Sequence, residues 1–169
     1  MMNYPDTSSP IRIVEADLNL PAHQEAVLAM VDAYSSDAMG DGKPLDQIVR
    51  TQLIPGLRRH PTTLIFLAFD GDQPIGAAVC FIGFSTFVAK PLINIHDFVV
   101  LPTSRGKGIG RRLLDAVEAK ARELGCCKLT LEVMDKNDQA VRMYLRAGFV
   151  RYTLQEKAGA AIFMSKPLE

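Results

Sequence analysis

The 169-residue chain has no tryptophan, only three cysteines and no net charge, and no apolar segment in it approaches the ~20 residues needed to span a bilayer. Each absence excludes something. Cys126 and Cys127 are adjacent while Cys80 stands alone in an apolar run, which suits neither a disulfide framework nor zinc-ligand spacing. The cysteines therefore read as small buried hydrophobes, and no metal is expected. Nineteen basic residues balance nineteen acidic ones, so no global field draws the chain to nucleic acid or to a membrane surface. Any anion site must be local. The first residues hold no basic run leading into an apolar stretch, so the expected location is cytoplasmic.

What is present is enough apolar residue, 48% of the chain, to build one core. The expectation is a polar, proline-flanked lead-in over residues 1–10 and a single domain over residues 11–169. "IRIVEA" alternates as a strand does, and after Pro21 the residues Val27, Leu28, Met30, Val31 and Tyr34 fall at helical spacing. A second, shorter helix is expected from residue 45 to about 53, stopped near Pro55 and Gly56. "TTLIFLAFD" and "PIGAAVCFIGF" flank the turn sequence "DGDQ" and predict a hairpin; "LINIHDFVVL" predicts a further strand. The next helix carries Leu113, Leu114, Val117, Ala121 and Leu124 on one stripe and stops at Gly125. "KLTLEVM" alternates, "NDQAVRMYLRAGF" reads as a capped helix ending at Gly148, and "VRYTLQE" and "AAIFMSK" read as closing strands. The order βααβββαβαββ predicts an α/β (α+β) domain. A right-handed crossover makes residues 92–101 and 128–134 parallel neighbours in its sheet.

The densest local signal is "VVLPTSRGKGIGRRLL", where an apolar strand ends and three glycines and four cations crowd a helix start. That position gathers unpaired amides and the positive end of a helix dipole, so it is suited to an anion. Glycines at 106, 108 and 110 remove Cβ atoms that would hold a phosphate away and permit positive φ. Arg105, Lys107, Arg111 and Arg112 add cations with no carboxylate beside them in sequence. A plain glycine turn with a solvated basic face is the alternative. A P-loop is excluded because no serine or threonine follows Lys107. A Rossmann-type nucleotide binder is weakened, since Arg111 stands where the third glycine of the fingerprint belongs.

Arg105-Gly106-Lys107-Gly108-Ile109-Gly110 resembles the R-x-x-G-x-G/A acetyl-CoA signature of the GNAT superfamily of N-acetyltransferases. "INIHDFVVLPTSRGKGIGRRLL" looks like that family's cofactor strand, loop and helix, and "NDQAVRMYLRAGF" like its next helix. Within the superfamily, "FSTFVAKPLINIHDFVV" looks most like the spermidine/spermine and related small-amine acetyltransferases. The resemblance implies a mixed, mostly antiparallel sheet of about seven strands with a V-shaped opening between parallel strands 4 and 5, flanked by about four helices. It implies acetyl-CoA as cosubstrate and no metal. The amides of Gly106, Lys107, Gly108, Ile109 and Gly110, with Arg105 and Arg111, would hold the pyrophosphate. Phe98, Val99 and Val100 would pair with the pantetheine arm, and Asn137 and Tyr144 would contact the coenzyme. A homodimer and a small-molecule or peptide amine as acceptor are implied as well. A catalytically silent acyl-CoA sensor would keep the glycine turn without depending on Tyr144.

Acetyl transfer to an amine needs a base for the ammonium and an acid for the leaving thiolate. Tyr144, in the stripe Ala140, Val141, Tyr144, Leu145, aligns with the family's acid; without the family it reads equally as a core tyrosine. His96 is the candidate base, standing where related enzymes often carry glutamate, because histidine ordinarily exchanges a proton near neutrality. Apolar residues at 93 and 95 change parity to 98 and 100 across His96-Asp97, which predicts a bulge. Tyr34, Asp37, His96 and Asp97 are the expected acceptor-binding residues, by position.

Overall fold

A computed structural model describes residues 10–152 and 161–168. Five strands form one sheet in chain order: β1 (Arg12–Glu15), β2 (Thr63–Asp70), β3 (Gln73–Ser85), β4 (Lys90–Val100) and β5 (Leu129–Leu131). All neighbours are antiparallel except β4 and β5, which are parallel as the crossover requires. Helices α1 (Pro21–Ser36) and α2 (Gln47–Arg59) precede the β2–β3 hairpin, α3 (Ile109–Glu123) joins β4 to β5, and α4 (Asp138–Arg146) follows.

The sheet is covered on both faces, which is why every residue of β2 from Leu64 to Phe69 is buried. On one face Leu113, Leu114 and Val117 of α3 and Tyr144 of α4 pack on Phe66, Ala78, Cys80, Ile93 and Ile95. On the other, Val27 and Met30 of α1 and Ile54 of α2 pack on Ile65, Leu67, Val79 and Val99. A fully buried side chain such as Leu113 or Val27 contributes about 1.5–3 kcal/mol through water release. No helix among the described residues is long and apolar enough to cross a membrane.

Three sequence expectations change. Instead of stopping near Pro55, α2 runs on to Arg59. Pro55 and Thr51 are both exposed, so water can take the Thr51 carbonyl that the proline leaves unpaired, while buried Ile54 holds the helix to the sheet. Leu124, expected in the buried stripe of α3, is its C-cap and is 38% exposed; the turn at Gly125, with φ of +67°, lifts it off the sheet. The strand count is five among the described residues, against about seven expected. Residues 150–152 and 161–168 form no strand although their composition suits one, because a strand exists only where an edge pairs with it. Residues 153–156 of "VRYTLQE", residue 160 of "AAIFMSK" and residues 1–9 of the lead-in lie outside the described residues.

Candidate active site

β4 and β5 run together for three residue pairs only, from Ile93–Leu129 to Ile95–Leu131. The middle pair is tied by Asn94 Nδ2 donating to Thr130 Oγ1 at 3.2 Å. There the strands part. Across β3, Cys80 pairs with Ile95 and Val79 with Asp97, which leaves His96 as the extra residue of the expected bulge. Ile93 and Ile95 face α3 before the bulge, and Phe98 and Val100 face it afterwards. His96 and Asp97 therefore both fall on the face covered by α1 and α2, where the His96 ring meets the Phe81 ring edge-on at 5.4 Å.

Leu101 N donates to Ile75 O at 2.9 Å. By the alternation of an antiparallel ladder, Val99 and Leu101 turn their backbone groups to β3, and Phe98 and Val100 turn theirs into the gap. The Val100 carbonyl there accepts from Arg105 Nε at 3.0 Å. The Phe98 N–H and C=O and the Val100 N–H are left as an open strand edge.

The gap leads to the turn that starts α3. Gly106 and Gly108 have φ of +78° and +76°, and a Cβ on either would meet nothing within 4 Å. Backbone conformation, not space, requires glycine at both. Gly110 is different: its φ is not positive, and a Cβ would stand 2.7 Å from Met143 Sδ, so this glycine lets α3 and α4 approach. Gly108 caps α3 without a side-chain hydrogen bond, so the first amides of the helix point out unsatisfied by any side chain.

The cations of this turn are more engaged than the sequence suggests. Arg105 Nη2 lies 2.7 Å from Asp37 Oδ2, Arg111 Nε lies 2.7 Å from Asp115 Oδ1, and Arg112 Nη2 donates to the Ile11 carbonyl at 2.6 Å. Lys107 alone of the four has no such partner among the described residues. Asp37 also accepts from Met39 N at 2.9 Å, and that bond together with Arg105 holds its carboxyl below the usual carboxylate range. The expected acceptor residue Asp37 is thus already neutralised by the expected coenzyme residue Arg105.

Tyr144 lies 7% exposed between Phe98 and Phe149, with ring centroids 6.0 and 5.6 Å away. Its hydroxyl makes no hydrogen bond among the described residues. Burial pushes this phenol well above its ordinary value, and the nearby Tyr34 and Cys80 add to the effect. Burial also raises Tyr34, with Asp97 and Asp37 adding. Asp97 is raised by burial while His96 pulls it the other way, and the Cys80 thiol is pushed up to about 12 by burial and by Asp97. Tyr34, Cys80, Asp97 and Tyr144 therefore share one electrostatic neighbourhood, with His96 exposed at its edge. Asn137 caps α4, its side-chain oxygen accepting from Ala140 N at 3.2 Å; Leu145, expected in the buried stripe, is 51% exposed.

Sequence reasoning missed two members of this site. Cys80 sits under the bulge, and nothing in a lone strand cysteine announces that. Phe81 stands between His96 and His60, with centroids 5.4 and 4.9 Å away; only the register of β3 against β4 reveals it.

A mixed sheet that splits at a bulge, beside a glycine turn opening a helix, defines a class of acyl-group-transferring folds. The family model described as the acetyltransferase (GNAT) family matches residues 27–149. The chain belongs to the GNAT acetyltransferase family, and so to the acyltransferases. It is 25% identical over 142 residues to the thialysine N-epsilon-acetyltransferase of Caenorhabditis elegans, covering 80% of this chain and 82% of that protein. It is 38% identical over 87 residues to the streptothricin acetyltransferase of Streptomyces lavendulae, covering 52% of this chain and 43% of that protein. Its fold matches an aminoglycoside N-acetyltransferase solved in complex with CoA, with a TM-score of 0.72 at 18% identity over 97% of this chain and 99% of that one.

Proposed function

We propose that the protein transfers the acetyl group of acetyl-CoA directly to a primary amine of a small molecule or peptide. The observation that carries this is the open edge of Phe98 and Val100, which lies between the bulge at His96 and the glycine turn of α3. An extended amide arm pairs naturally with such an edge, and a pyrophosphate with the unsatisfied amides from Gly106 to Gly110. Gly106 and Gly108 leave open space where a ligand would approach, and Lys107 supplies an unengaged cation. Relatives named as acetyltransferases of thialysine and streptothricin, and a fold neighbour holding CoA, support the same cosubstrate and an amine acceptor.

In this reading Tyr144 donates a proton to the departing thiolate. Its raised value keeps the phenol protonated at neutral pH, and its hydroxyl has no competing partner among the described residues. His96 accepts the proton of the ammonium, directly or through water, with Asp97 and Tyr34 behind it. Cys80 is held as an unreactive thiol, which favours direct transfer over a thioester intermediate on the protein. A homodimer and a cytoplasmic location, carried by the family resemblance, complete the reading.

Calorimetric titration with acetyl-CoA, followed by thiol release over a panel of amines, tests it. Binding with thiol release that depends on an amine is expected. Absence of acetyl-CoA binding, or binding with no amine-dependent release, would remove it.

A further inference from the structure

We infer that the body of the acceptor lies in the apolar groove between α2 and β3, so that the amine carries an alkyl or aryl group and no second positive charge. The inference rests on the acetyltransferase reading and adds the chemistry of the acceptor to it.

The groove has a volume of about 430 Å³. Val49, Leu53 and Leu57 of α2 form one wall, Phe81 of β3 the other, and His60 closes one end. Val49 is 42% exposed and Leu53, Leu57 and Phe81 are half-buried, so apolar surface faces water there until something covers it. The position of the groove relates it to the chemistry. Phe81 meets His60 edge-on at 4.9 Å and His96 edge-on at 5.4 Å, so one phenyl ring separates the groove from the imidazole at the bulge. An amine held at His96 through a short methylene spacer would lay its body along Phe81.

Charge points the same way. No carboxylate lines the groove, and α2 carries Arg50, Arg58 and Arg59 with no acid. The acids at the end of α1 are spoken for: Asp32 Oδ1 lies 2.7 Å from Arg50 Nη1, and Asp37 pairs with Arg105. A polycation would find no counter-charge along this wall, whereas a neutral apolar body releases water from it.

Gly56 makes the test clean. It lines the groove, its φ is not positive, and a Cβ there meets nothing within 4 Å, so Gly56→Leu fills space without displacing the core. Thiol release is measured with 2-phenylethylamine, hexylamine, ethylamine and spermidine for the full chain and for Gly56→Leu and Val49→Glu. The first two amines are expected to exceed the others in kcat/KM by about tenfold. Both variants should erase that preference while leaving the KM for acetyl-CoA and the melting temperature unchanged. Turnover favouring ethylamine or spermidine, or a preference untouched in both variants, overturns the groove and leaves acetyl transfer standing. Turnover of no amine overturns both. Sedimentation showing a dimer that Val49→Glu dissociates also overturns it, by making the groove a contact between copies of the chain.

Discussion

Arg105 reaches from the end of β4 to Asp37 just beyond α1, with Nη2 2.7 Å from Oδ2, while its Nε donates to the Val100 carbonyl at 3.0 Å. One side chain thus fastens the glycine turn both to its own strand and to the opposite face of the sheet. We expect Arg105→Gln and Asp37→Asn each to weaken acetyl-CoA binding severalfold by loosening the turn. The double variant should be little worse than Arg105→Gln alone, with a coupling of roughly 0.2–1 kcal/mol for so exposed a pair. Calorimetric titration of the four proteins measures it. Tighter binding in Asp37→Asn would instead mean that Arg105 serves the coenzyme once released.

Tyr144→Phe should leave the fold intact, because the hydroxyl lost has no hydrogen-bond partner among the described residues and the ring contacts to Phe98 and Phe149 remain. Turnover should fall by about 10²–10⁴ while acetyl-CoA affinity stays near wild type. Steady-state kinetics beside a binding isotherm decides this, and unchanged turnover would return Tyr144 to the core.

The glycines of the turn should fail for different reasons. Gly110→Ala places a Cβ against Met143 Sδ and should cost about 1 kcal/mol, largely recovered when Met143→Ala is added. Gly108→Ala should cost about 1–2 kcal/mol through its positive φ, with no rescue from Met143→Ala. Urea denaturation of the single and double variants separates the two mechanisms.

Asp97 should give stability a pH dependence of unusual sign for a carboxylate. Its folded value is raised, so as pH climbs through the ordinary carboxylate range the unfolded chain releases its proton before the native protein does. Stability contributed at low pH is therefore lost as pH rises toward the raised value. Asp97→Asn should exceed wild type in stability at about pH 8, with the difference closing toward about pH 4. Denaturation midpoints across that window test it, and a difference that widens toward acid would contradict it.

If His96 takes the proton of the ammonium, His96→Ala should remove the ascending limb of the pH–rate profile without moving the melting temperature, since the imidazole is exposed. A profile of unchanged shape would shift the role to Asp97 or to water.

Local features of the fold and site were legible in the sequence; pairings across it were not. The bulge could be read because a change of parity within "INIHDFVV" is written in consecutive residues. The positive φ at Gly106 and Gly108 and the cap at Asn137 are likewise properties of a few neighbours. The Arg105–Asp37 bridge joins residues 68 apart, and no short pattern encodes it. Gly110 looked like its neighbours until Met143, on another helix, showed that its lack of a side chain serves packing. Pro55 was misread because local breaking power was weighed without the tertiary contact that holds Ile54.

The single extra residue at position 96 also fixes the phase of everything after it. With His96 in place, Phe98 and Val100 join the α3–α4 core and Val99 the α1–α2 core. Deleting that one residue while keeping the downstream chain aligned would rotate the rest of β4 by half a turn. Asp97 would face the apolar layer beneath α3, and Phe98 would lose its contact with Tyr144. The strand therefore tolerates exchange of the imidazole far better than loss of the position, so a length variant and a point variant at the same site would report on two different properties of the protein.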